Sequence, residues 1–240
     1  MRVCISRAHK KIGNVFVPMH WTEQTASFSR MGALVNPVVD PISKQPECKH
    51  TPVRIEAFKP VWQGFIISRH ALPPLTEDYW VKIKGEDYYR YELAGNTAVS
   101  DWSAWLKQRV NAPNQSWQEY QDVATGLYRA AQFHEGDVMT IAFISERGQL
   151  PERAWLCSLF SKTHTTQEER RGLLTGKPPK DTPDTGAVIC ACFNVGEKTI
   201  RQAIKDLGLK SHLDVGQCLK AGTNCGSCIS EIKDLLAGVE

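Results

Sequence analysis

Four cysteines set in two tight pairs constrain this chain more than any other feature. Cys190 and Cys192 stand as C-A-C, Cys225 and Cys228 as C-G-S-C, and 32 residues lie between the pairs. In a reducing compartment such pairs point to a metal or redox centre rather than to structural disulfides. Four thiolates suit either a structural zinc ion or an iron–sulfur cluster, since both take soft, roughly tetrahedral sulfur ligands. The spacing leaves both open, with uncoordinated thiols as a third reading.

The residues around the pairs read as a small helical module. Ile200, Ala203, Ile204 and Leu207 fall at i, i+3, i+4 and i+7, which gives one helix an apolar face, and Gly208 is placed to end it. Ser211 with Asp214 predicts the cap of a second short helix carrying Leu213 and Leu219. A third helix, carrying Ile229, Ile232, Leu235 and Leu236, begins within the C-G-S-C turn itself. A module of roughly 50 residues has a thin core and often needs a metal or another cross-link. The start of the third helix favours negative charge at Cys225 and Cys228, and Gly222 and Gly226 let backbone N–H groups approach the sulfurs. Both candidate centres are anionic, so these features do not separate them. Cys218 is a further cysteine in the module, whereas Cys4, Cys48 and Cys157 are isolated and read as small apolar or half-buried thiols.

Upstream the chain changes character. Two runs near the start, GNVFVP and TPVRIEA, are strand-like, the second alternating Val53, Ile55 and Ala57 on one face. The proline-containing stretch between them predicts a long irregular loop, and such loops are usually functional. The middle of the chain is rich in aromatics. Val81 and Ile83 before a turn, with Tyr89, Tyr91 and Leu93 after it, predict one hairpin, and a second is centred on Gly136. Trp102, Trp105, Leu106 and Val110 are spaced for a helix, with Ser100 as its expected cap. Pro178, Pro179 and Pro183 mark a linker. No catalytic signature stands out.

A formal net charge of +3 over 240 residues is too weak to argue for nucleic acid or membrane. No run approaches the roughly 18 apolar residues of a membrane span, and the start lacks the apolar stretch of a signal peptide. A cytoplasmic setting is therefore expected.

The segment CACFNVGEKTIRQAI with GTNCGSC resembles the [2Fe-2S] modules similar to bacterioferritin-associated ferredoxin. The earlier segment VFVPMHW, with NPVVDPIS after it, resembles the end of the molybdopterin-dinucleotide-binding domain of molybdenum oxidoreductases. In this order, with ERAWLCSLF and RRGLLTGKPP between them, they resemble the C-terminal region of the assimilatory nitrate reductase catalytic subunit.

The resemblance implies an α+β chain in four parts. Residues 1–57 would be the truncated end of a molybdopterin-dinucleotide-binding β-barrel and 58–172 a mixed α+β middle region. A linker at 173–187 would lead to an all-helical [2Fe-2S] module at 188–240. Cys190, Cys192, Cys225 and Cys228 match the cluster ligands. His20 and Trp21 match the strand end that faces the pterin. Asn36 and Lys49 match polar residues that hydrogen-bond the cofactor, molybdenum bis-molybdopterin guanine dinucleotide. On local pattern alone these four read as packing, turn and solvated residues.

In the family, a reductase, flavoprotein or ferredoxin would supply electrons through the [2Fe-2S] centre and a [4Fe-4S] centre to molybdenum, where nitrate becomes nitrite. The [4Fe-4S] ligands, the molybdenum ligand and most cofactor-binding domains are not in this sequence. The chain is therefore expected to be a C-terminal fragment, a truncated reading frame or one piece of a split subunit. It would work with an N-terminal catalytic portion and would not turn over alone.

Overall fold

The aromatic-rich middle of the chain folds into one six-stranded antiparallel sheet because its strands come as apolar hairpins. The computed structural model describes residues 13–17, 21–28, 30–47, 51–111, 116–162, 164–179, 182, 184–224 and 226–238. In chain order the strands are β1 (Trp62–Ser68), β2 (Tyr79–Lys84), β3 (Tyr89–Gly95), β4 (Trp117–Asp122), β5 (Leu127–His134) and β6 (Asp137–Ser145). The sheet order is β2-β3-β1-β6-β5-β4, so β1 lies at the centre between two partners from later in the sequence. Both expected hairpins form, β2–β3 and β5–β6. Glu135 and Gly136 turn the second with φ of 49° and 96°, the left-handed pair that matches strand twist.

Both faces of the sheet are covered, which explains why β1 and β6 are nearly continuous apolar runs rather than alternating ones. On one face Trp62, Ile66, Tyr91, Leu93, Tyr128 and Ile144 pack with helix α1 (Trp102–Val110). Trp62 meets Trp102 and Trp105 edge-on, with ring centres 5.1 and 5.5 Å apart. On the other face Phe65, Ile141 and Phe143 pack with helix α2 (Arg153–Ser158), the 3-10 turn after it, and helix α3 (Gln167–Leu173). Arg153 is buried here. Its guanidinium lies 4.4 Å from the Phe65 ring centre and forks onto Glu92, Nε to Oε1 at 3.1 Å and Nη2 to Oε2 at 2.8 Å.

Two expectations are corrected. Helix α1 is capped by Asp101, whose carboxylate accepts from the Ala104 N–H at 2.9 Å, and not by Ser100. Asp101 wins because the helix begins at Trp102, one residue beyond Ser100's reach. Among the described residues, the strand-like runs at 13–17 and 51–57 are not in strands, since alternation alone does not make a strand without a hydrogen-bonded ladder. Val53 and Ile55 remain exposed. Among the described residues of 13–57 there is only the 3-10 turn Met31–Leu34 and two isolated bridges, Ala26 to Val81 and Val39 to Pro46. The loop of 31–47 is irregular as expected, and Asp40 builds a turn by accepting from the N–H groups of Ile42 and Ser43.

The C-terminal module consists of β7 (Val188–Cys190), β8 (Val195–Gly196), α4 (Glu197–Leu207), α5 (His212–Leu219) and α6 (Ile229–Ala237). It is therefore not purely helical: β7 and β8 pair antiparallel ahead of three helices. Strands of three and two residues give no periodic signal in a sequence. Gly208 ends α4 with φ of 63°, and Ser211 and Asp214 form the reciprocal capping box of α5. Ile200, Ile204, Ile232 and Leu235 are buried, whereas Leu207, on the expected apolar face of α4, and Leu213 are exposed. Among the described residues no helix is long and apolar enough to cross a membrane.

Candidate metal centre

Cys190 ends β7, and the turn 191–194 returns the chain to β8, so the hairpin carries the first cysteine pair. Cys190 is paired with Val195 across the hairpin and is only 2% exposed. Gly196, the second residue of β8, is buried against the backbone of Thr185. That approach lets the Glu197 N–H donate to Ala187 O at 2.7 Å and the Lys198 N–H to Thr185 O at 3.0 Å. The start of α4 and the entry to β7 are thereby tied together.

The second pair sits in the connection from α5 to α6. Lys220 caps α5 in the left-handed conformation, and its carbonyl accepts from the Thr223 N–H at 3.2 Å and from Thr223 Oγ1 at 2.7 Å. Gly222 and Gly226 follow with φ of 85° and 73°, values that glycine adopts without strain. Cys228 is the N-cap residue of α6 and is 4% exposed. Its carbonyl accepts from the Ile232 N–H at 2.9 Å.

Cys190 and Cys228 belong to one buried cluster with Ile200, Val215, Ala221 and Ile232, and Cys192 packs half-buried against it. The fold thus brings one end of each cysteine pair into the same core, although residues 190 and 228 are far apart in sequence. Cys225 lies outside the described residues. Among the described residues no three His, Cys, Asp or Glu side chains are gathered closely enough to hold a metal ion. The donors nevertheless fit a thiolate-bound cluster in kind. They are all sulfur, Cys190 and Cys228 are buried, and Cys228 follows the positive-φ Gly226 at the N-terminus of α6, where the dipole favours negative charge.

Two other cysteines lie among the described residues. Cys218 is exposed on α5. Cys157 is buried in the sheet unit, where burial pushes its thiol up. Around the centre the charges are ordinary surface pairs. Asp184 is held below the usual carboxylate range by the Lys198 ammonium, and Asp214 by the Ser211 hydroxyl and neighbouring backbone N–H groups.

Of the four residues matched to pterin contacts, two lie among the described residues. Trp21 is half-buried and Asn36 is exposed, while His20 and Lys49 lie outside the described residues. What sequence reasoning missed is Gly196 and the hairpin it permits. A glycine one residue before an acidic helix start was the available signal.

Residues 188–238 match the family model for the BFD-like [2Fe-2S] binding domain. The chain is similar to a nitrate reductase of Klebsiella oxytoca, 35% identical over 227 residues, which is 94% of this chain and 25% of the relative. It is also similar to the nitrogen fixation protein NifU of Leptolyngbya boryana, 33% identical over 94 residues, 38% of this chain and 44% of that protein. A nitrite reductase [NAD(P)H] of Emericella nidulans is 33% identical over 60 residues, 25% of this chain and 5% of that protein. The chain thus spans about a quarter of the nitrate reductase and under half of the NifU protein. No solved structure matches it. The long match makes the chain similar to part of a nitrate reductase, and its C-terminal segment matches a [2Fe-2S] binding domain.

Proposed function

We propose that the chain is the C-terminal part of a cytoplasmic, molybdenum-dependent assimilatory nitrate reductase, and that it supplies the centre at which electrons enter. The observation that carries this is the burial of Cys190 and Cys228 in one core, with Cys192 against it, inside the segment that matches a [2Fe-2S] domain. Cys225 completes the ligand set in this reading. When bound, a [2Fe-2S] cluster accepts and passes on one electron at a time.

The chain's own residues supply the setting. The β7–β8 hairpin holds Cys190 in the core, Gly222 and Gly226 shape the loop that carries Cys225, and the α6 N-terminus meets the negative charge of the thiolates. His20, Trp21, Asn36 and Lys49 would contribute to the pterin site together with the catalytic portion. That portion would bring the [4Fe-4S] cluster and most of the molybdenum site. Alone, the chain would not reduce nitrate.

A second reading is a stand-alone [2Fe-2S] carrier or docking protein. Its support is the module's own hydrophobic core, separate from those of the sheet. A zinc-stabilised interaction module is the third.

Anaerobic purification with iron, sulfide and zinc analysis, visible spectroscopy and EPR after dithionite reduction separates these readings. About two irons and two sulfides per chain are expected, with a reduced S = 1/2 signal. Cys225→Ser should remove the visible band. One zinc per chain and no colour, with failed iron–sulfur reconstitution, would sink the electron-transfer reading. Association with a larger molybdenum-containing polypeptide would favour the first reading over the second.

A further inference from the structure

The sheet unit and the C-terminal module keep separate hydrophobic cores. The two sheet clusters are built from residues of 62–174, and the module cluster from residues of 189–236. Among the described residues, no module helix or strand packs broadly on an element of the sheet unit. The polar contacts that cross between them among the described residues include two side-chain ones. The Asn194 side-chain amide, Nδ2, donates to the Ala154 carbonyl of helix α2 at 3.0 Å. Lys220 Nζ lies 3.5 Å from a Glu86 carboxylate oxygen in the β2–β3 turn.

The two contacts are unequal. Lys220 and Glu86 side chains are 62% and 74% exposed, so solvent and salt screen their attraction. The Asn194 bond is partly buried. Asn194 also adopts a left-handed backbone, φ 54°, which Asn and Gly tolerate better than other residues. Its amide is thereby presented from the turn 191–194, two residues after Cys192. Lys220, for its part, opens the loop that leads to Cys225. Both contacts therefore arise from the cysteine-bearing loops. Small polar interfaces between domains release readily.

We infer that Asn194 is a latch. Its amide clips the cysteine-bearing end of the module onto helix α2, and without that bond the module turns as a separate body on its tether. The functional meaning rests on the electron-entry reading, because a carrier that must meet both a donor and an acceptor benefits from a contact that can open. The latch itself does not depend on which metal the module holds.

The test is 15N relaxation of the full chain, comparing amides of β1–β6 with amides of α4–α6. In the wild type the two sets should report one rotational correlation time. Asn194→Gly keeps the left-handed backbone and deletes the amide. The module's correlation time should then fall below that of the sheet unit, while the sheet unit's amides keep their shifts. Asn194→Asp replaces the donor with an oxygen that cannot donate to Ala154 and should release the module equally. It gives the answer should the glycine variant lose the module's amide pattern. Lys220→Ala should leave the common time unchanged. Separate tumbling in the wild type, an unchanged common time in both Asn194 variants, or release by Lys220→Ala would each overturn the inference. The readout needs no iron, so a colourless protein tests the latch as well as a coloured one does.

Discussion

Replacing Gly196 with alanine should unfold the C-terminal module selectively. The position is not conformationally special, for Gly196 has φ of −87°, which any residue adopts. Space is the constraint: a Cβ there would stand 2.1 Å from Thr185 O, 2.7 Å from Thr185 C and 3.0 Å from Thr185 Cβ. Backbone atoms cannot swing aside as a side chain does, so the segment before β7 must move by about 1 Å to reach ordinary contact. The displacement strains the Lys198 N–H to Thr185 O bond, now 3.0 Å, and the Glu197 N–H to Ala187 O bond, now 2.7 Å. It also disturbs the hairpin that holds Cys190.

Overpacking at about 1–3 kcal/mol, plus about 1 kcal/mol for a weakened bond, gives a loss of roughly 2–4 kcal/mol. For a domain this small that lowers the midpoint by about 10 °C or more. The comparison is Gly208→Ala, where φ is +63° and nothing lies within 4 Å. Its cost is left-handed strain alone, about 1 kcal/mol. Thermal unfolding of the full chain, followed through α4–α6 amide signals, would measure both. If Gly196→Ala costs no more than Gly208→Ala, the close approach to Thr185 does not organise this hairpin.

Two further predictions concern single interactions. Glu92→Ala removes the carboxylate forked by Arg153, with both side chains under 10% exposed, and takes the counter-charge from a buried guanidinium. It should destabilise the sheet unit by about 3–5 kcal/mol. Urea unfolding followed by tryptophan fluorescence would show this, since Trp62, Trp102 and Trp105 lie in that unit; an unchanged midpoint would contradict it. Ser211→Ala opens the α5 capping box and should cost about 1 kcal/mol near neutral pH. Asp214 is held below its ordinary value first by Ser211, so its folded-state carboxylate stabilises above the ordinary range and loses that effect as pH falls through the lowered value. Helical circular dichroism of the full chain should therefore decline on acidification below that range, with a shallower dependence in Ser211→Ala; parallel profiles would argue against the box.

The sequence by itself determined what depends on near neighbours. The cysteine pairs named the donor set. The i, i+3, i+4 spacing around Ile200 placed α4, Gly208 marked its end at the residue observed, and Ser211 with Asp214 gave the next cap, because helix signals act within one turn of chain. The β2–β3 and β5–β6 hairpins were legible for the same reason. Tertiary structure decided the rest. Alternation at 51–57 looked like a strand but, among the described residues, joins no ladder, whereas β7 and β8, too short to show a period, pair because Gly196 lets the backbone close. Only the folded sheet places Glu92 under Arg153. Only the folded module buries Cys190 and Cys228 in one core, with Cys192 against it, and turns Asn194 toward Ala154. Local spacing fixes the chemistry that a segment offers, while partners distant in sequence fix which segments pair, which side chains are buried and which charges meet.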